Sequence, residues 1–365
     1  MHLIDRRDFL RAAGAGFAAM LGPRAWAAAL ETDAVFATAF QQRDGRYGAA
    51  ILSEQGKLIH RVDLPDRGHD LTFDPISKRS VVFARQPGTF MVVFDHTGRR
   101  EPVTIPSVSG RHFYGHGVFS PDGRLLYATE NDFDNAAGVV GVYDATDGFS
   151  RVGEFPTHGV GPHEVVLMGD GRTLAVANGG IETHPDFGRA ELNLATMQPS
   201  FALIDRTSGD LIERHELPED LHQLSIRHMD VDGSGAVWFG CQYRGPATNQ
   251  PMLVGRAEPG KAFELIDMPA DVLGGLRNYV GSVAANRTAG VVAVSSPQGN
   301  SFVVLDAGSG RVVSATTLTE VCGLAPDAAG FLASTGTGEI VAPGGAESDH
   351  PEFAWDNHML RIERP

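Results

Sequence analysis

RHFYGHGVFSPDGRLLYATENDFDN, residues 111–135, reads as one hairpin of a repeat. His116 opens a short apolar strand that Val118 and Phe119 continue. Pro121-Asp122-Gly123 turns it, Leu125 to Ala128 return, and Glu130, Asn131 and Asp132 begin a polar loop. A Pro-Asp-Gly turn between apolar runs predicts a hairpin because proline presets one backbone angle and glycine permits a positive one.

The same grammar recurs at intervals of about 45 residues, the period of propeller blades. Units start at Gly68-His69-Asp70, at Gly161-Pro162-His163-Glu164, at Arg227-His228-Met229, at Gly281-Ser282 and at Val321-Cys322. Four of the third strands close alike, at Phe94-Asp95, Tyr143-Asp144, Ile204-Asp205 and Leu305-Asp306. Three runs near the start, from Ala34, Gly48 and Leu58, have no first partner. The pattern predicts an all-β, seven-bladed propeller in which N- and C-terminal strands share one blade and remove exposed edges; six blades is the alternative. Gly 44 and Pro 21 beside an ordinary 42% hydrophobic content fit many turns around a normal core.

Asp5-Arg6-Arg7-Asp8-Phe9-Leu10-Arg11 has the form of a twin-arginine export signal, followed by an apolar run to Leu21 and a small-x-small site at Ala25-Trp26-Ala27. That run is too short to span a membrane. The expected organisation is a signal over 1–27, then one propeller domain over 28–365, periplasmic, with no stable membrane insertion after cleavage. The formal charge is −15, and removing the signal leaves −17. Such an acidic surface repels nucleic acid and favours cations. Cys241 and Cys322 lack framework spacing; buried free thiols are the expected state, with a disulfide as the alternative an oxidising compartment allows.

His69, His116, His163 and His228 fall at equivalent places in four successive units, with Cys322 there in the last. Every first strand of a propeller lines the central channel, so equivalent positions converge on the axis. Four imidazoles at one mouth suit zinc, copper, iron or nickel. Polar loops after the second strands offer Glu130, Glu182, His184 and Arg244 as support, with Glu164 beside His163, and the insertion from Gly179 to Pro199 is placed as a lid. A single histidine at a strand start would more simply serve its own blade; four in register argue for a shared site. His112, His158, His215 and His222 read as loop residues, and His358 as either a mouth residue or a seal of the last blade. Binding through neutral imidazoles should weaken below pH about 6.5. Motifs for phosphate loops, covalent haem, serine hydrolases and helical zinc proteases are absent.

Taken together, the Arg6-Arg7 signal, Gly68-His69-Asp70, Gly115 to Gly123, Gly161 to Glu164 and Arg227 to Met229 resemble a family of exported bacterial propellers associated with imelysin-type iron-uptake proteins. The resemblance implies a periplasmic role near iron acquisition, with iron-uptake proteins as partners, and no mechanism. The repeat motifs are similar to those of lactonase-type seven-bladed propellers. More loosely, a histidine-lined mouth is similar to the copper-cluster propeller of nitrous oxide reductase, whose Cys-rich copper domain this chain lacks. The leading expectation is a propeller binding iron, or copper, through the histidine cluster. A lactonase-like hydrolase with a histidine base, and a protein-interaction scaffold, are the alternatives; the first expectation leaves open whether anything is turned over.

Overall fold

A computed structural model describes residues 35–96, 98–328, 330–342 and 347–362. The expected signal at 1–27 lies outside the described residues.

The opening hairpin forms as read, with one change. Its first strand is Arg111–Phe119, so His116 lies inside the strand rather than at its start. The return strand is Leu125–Asp132, and it carries Glu130 to Asp132 beyond the expected loop. Gly123 turns the chain at φ 67°, and a Cβ there would lie 2.6 Å from the Asp74 carboxylate oxygens of the preceding sheet. Glycine is therefore required twice over, by backbone angle and by space.

Seven four-stranded antiparallel sheets form the propeller. Six are built from consecutive strands, with inner strands Gly68–Asp74, Arg111–Phe119, Pro162–Leu167, Leu224–Val231, Ser282–Asn286 and Val321–Asp327. The seventh takes its inner strand, Phe353–Arg361, from the C-terminal end and its outer three, Phe36–Gln42, Tyr47–Leu52 and Leu58–Leu64, from the N-terminal end. The three runs without a first partner thus find it more than 300 residues away. Each inner strand touches the inner strands of both neighbours, so the ring is closed.

The aspartates that end the third strands accept backbone N–H groups of the turns they open, as Asp205 does from Thr207 and Ser208, and Asp306 from Ser309. Inner and middle strands are buried on both faces because the sheets stack, while outer strands such as Ser150–Pro156 alternate. Trp238 and Phe239 pack between blades, the Trp238 indole N–H donating to Asp232 at 2.9 Å. Both cysteines are free and buried, and burial pushes the Cys322 thiol up to about 12. Among the described residues no helix is long and apolar enough to cross a membrane.

Candidate metal centre

Side chains alternate along a regular strand, so His69 and Asp70 should face opposite ways. The structure turns both inward. Gly68 pairs with Ala84 and Leu71 with Val82, so His69 and Asp70 together oppose one residue in a β-bulge. The inner strand of the next blade is irregular from Phe113 to Gly117, across Tyr114, Gly115 and His116. Comparable shifts fall at His163, at Arg227 beside His228, at Cys322-Gly323 and across Asp356 to His358. Ser282–Asn286 pairs without a shift and brings no histidine. Bulges re-aim side chains, and here they converge on the axis. Hydroxyls on the second strands satisfy carbonyls near the bulges: Thr129 donates to the His116 carbonyl at 3.2 Å and Thr38 to that of His358 at 2.7 Å.

The result is a ring of five imidazoles. His69, His116, His163, His228 and His358 have centroids 4.6 to 4.9 Å apart from one to the next, closing from His358 back to His69. The fifth member, His358, left open in the sequence, stands in the ring with the other four. Gly115, at φ 108°, makes the packing possible: a Cβ there would come within 2.7 Å of the His69 ring.

Carboxylates hold one edge of this ring. His69 Nδ1 donates to Asp356 Oδ1 at 3.0 Å, and His116 Nδ1 to Asp70 Oδ2 at 3.1 Å, tautomers assigned from these partners. Glu164 Oε2 lies 3.6 Å from His116 Nδ1 and 3.4 Å from His228 Nδ1, and accepts the Met229 N–H at 3.1 Å. With Nδ1 of His116 engaged, its Nε2 is the free lone pair. The Nε2 atoms of His116, His163 and His358 are buried without a hydrogen-bond partner. Three groups have donor atoms within 4.8 Å of one another: His69, His116 and His163; His116, His228 and His358; Asp70, His116 and Glu164. His116 belongs to all three. These clusters are capable of coordinating a metal ion.

Burial, chiefly, pushes His69, His163 and His228 well below the ordinary imidazole pKa, and His358 down to about 4. They stay neutral far below the pH of about 6.5 expected from the sequence. Burial also drives Glu164 well above the carboxylate range, the Asp70 charge adding to it. Asp70 goes the other way: burial opposes ionisation, yet the imidazoles of His358 and His116 hold it low. At Asp356 burial is likewise outweighed by Arg85, His69 and Arg67, with Arg67 Nε 2.7 Å from Oδ2.

The other expected support residues join none of the three groups. Glu130 is fully buried against Arg151 and Tyr143, accepting at 2.8 and 2.5 Å, because its strand extends and carries it into its own blade. His184 caps the short 3₁₀ turn Pro185–Phe187, its Nδ1 accepting from Asp186 N–H. Glu182 is tied by its backbone to Asn193 and Leu192, and the Cys322 thiol donates to the Glu320 carbonyl at 3.1 Å; neither joins the three groups. Arg244 lines the mouth and pairs with Glu191. The insertion folds against the mouth, where the Thr183 carbonyl accepts from Asn131 and its hydroxyl meets Tyr114.

His112 and His215 are strand residues, not loop residues. His112 is 1% exposed, and its ring sits between the Phe113 carbonyl at Nδ1 and the Asn131 amide at Nε2. Only the neutral Nδ1–H tautomer suits both partners, and burial pulls its pKa from 6.5 to about 4. Between those values the unfolded chain takes up a proton that the fold refuses. Stability is therefore full above pH about 6.5 and falls toward pH about 4, by ~3 kcal/mol from this group alone. Urea midpoints of wild type and His112→Gln across that range should show a shallower slope for the variant; equal slopes would remove the assignment.

Residues 62–362 match the model of the family described as "Protein of unknown function (DUF1513)". No curated protein matches the chain. Among solved structures, a chain of Kuenenia stuttgartiensis hydrazine synthase is similar at 16% identity and TM-score 0.61, over 81% of this chain and 91% of that one. A chain of a nidogen/laminin complex is similar at 14% identity and TM-score 0.49, over 77% and 92%. At such identities the first likeness concerns the propeller fold alone.

Proposed function

The chain belongs to that family, and we propose that its imidazole ring holds a transition-metal ion and that the protein serves iron handling in the periplasm, with copper as the alternative metal. The observation that carries this reading is the trio of buried, unpartnered Nε2 atoms on His116, His163 and His358. A buried polar atom without a partner costs roughly 1–3 kcal/mol, and the His116 ring lies 4.8 Å from those of both His163 and His358, so the hub calls for an occupant. A carboxylate on Nδ1, as at His69 and His116, is the usual device for orienting a metal-binding imidazole. The separate group of Asp70, His116 and Glu164 offers oxygen donors where an ion would replace the His116 Nδ1 proton, which widens the choice from copper or zinc toward iron. The Arg6-Arg7 signal and the resemblance to exported iron-associated propellers support the compartment and the metal.

The test is elemental analysis of protein recovered from the periplasm without added metal. About one equivalent of iron per chain is expected, since a preformed buried donor set retains its ion. Stoichiometric copper would keep the centre and replace its metal. Protein that carries no transition metal as isolated, and takes up neither ferrous nor cupric ion, would overturn the proposal.

A further inference from the structure

Above the imidazoles opens a cavity of about 250 Å³, with His69, His163 and His228 along its floor. Its wall is unlike the rest of this acidic protein. Four guanidinium groups line it, those of Arg85, Arg189, Arg227 and Arg244, against one carboxylate, Glu191. Glu191 is taken up by Arg244, and Arg85 contacts Asp356 at 3.3 Å. Among the described residues Arg227 forms no ion pair; its Nε meets only the Ser225 hydroxyl, at 3.1 Å. Arg189 likewise has no ion pair among the described residues, and it feels Arg85 and Arg67 as repulsive neighbours. Two further donors in this wall, Gln86 Nε2 and Arg244 Nε, are buried without a hydrogen-bond partner.

Like charges gathered in a concave, water-poor site are stable when an anion lies between them. Arg244 and Arg85 already have carboxylate partners, whereas Arg189 and Arg227 have no ion pair among the described residues. A cavity of about 250 Å³ has room for two carboxylates on a short carbon frame, one for each of these two guanidiniums. We infer that the cavity binds a small molecule carrying two or more carboxylate groups, seated among the arginines and facing the imidazole floor. The inference deepens the metal reading, since such a molecule would reach the ion as a further ligand, but the arginine wall makes it a binding site with or without metal. Guanidinium suits the task because its fork matches a carboxylate in two parallel hydrogen bonds.

The experiment is calorimetric titration at constant ionic strength with citrate, succinate, acetate and inorganic phosphate. It uses protein as purified and after dialysis against a chelator. Citrate or succinate should bind at least about tenfold tighter than acetate and phosphate in both preparations, the factor expected from added charged hydrogen bonds. Arg227→Gln and Arg85→Gln should each weaken that binding about tenfold or more, with thermal unfolding confirming that both variants fold. Phosphate binding tighter than either polycarboxylate, or polycarboxylate binding untouched by both replacements, would overturn the inference. Binding that persists in a protein that neither carries metal as isolated nor takes up ferrous or cupric ion would support the inference while removing the metal centre.

Discussion

His116→Ala is expected to lower metal affinity at least about 100-fold, more than the ~10–100-fold typical of losing a group that merely orients a ligand. The expectation follows from position. His116 is shared by every cluster of convergent donors in the hub, so no group of three survives its loss intact. It also stands between Asp70 and Glu164, and its removal leaves both carboxylates without their common partner. Asp70→Asn, which keeps the imidazole and weakens its orientation, should fall in the milder range. The measurement is bound metal after dialysis against graded chelator, with circular dichroism confirming the fold. Full retention of metal by His116→Ala would sink the hub as the binding site.

Deleting the chain from Phe353 onward is expected to abolish cooperative folding. That cut removes four buried apolar side chains, Phe353, Trp355, Met359 and Ile362. At roughly 1.5–3 kcal/mol each, their burial is worth about 6–12 kcal/mol, comparable with the whole stability of an ordinary domain. The deletion also strips Phe36–Gln42 of its inner partner and opens a sheet edge at the channel. Asp356 goes too, leaving Arg67, Arg85 and His69 without the carboxylate they share. Thermal unfolding followed by circular dichroism is the check. A sharp transition within a few degrees of the full chain would mean that six blades suffice.

Much of this architecture is readable from residues alone. Pro121-Asp122-Gly123 and its counterparts announce the hairpins, and four histidines in register announce a shared centre. His358 stayed undecided because its blade is divided between the two ends of the sequence, so no repeat unit surrounds it for comparison. Asp70 and Asp356 escaped for another reason. Strict alternation sends Asp70 away from the face of His69, and only a bulge brings both inward. The basic wall was hidden still more deeply: Arg85 follows a second strand, Arg189 lies in the insertion, Arg227 sits in a bulge and Arg244 follows another strand. Net charge pointed the opposite way, because a sum over the chain says nothing of where the positive groups meet.

The hydrogen bond between Thr38 and the His358 carbonyl joins residues 320 positions apart. Contacts that distant are slow to form, since the chain between them must be ordered before they reward it. On a growing polypeptide the first three strands leave the ribosome long before their covering strand has been translated. Until it arrives they present an open template to other chains. The same late segment delivers the fifth imidazole, so completing the wheel and completing its donor set are one kinetic event. A nascent or clipped chain cannot display the full donor set of the finished molecule, and in the proposed centre retention of an ion would report successful maturation.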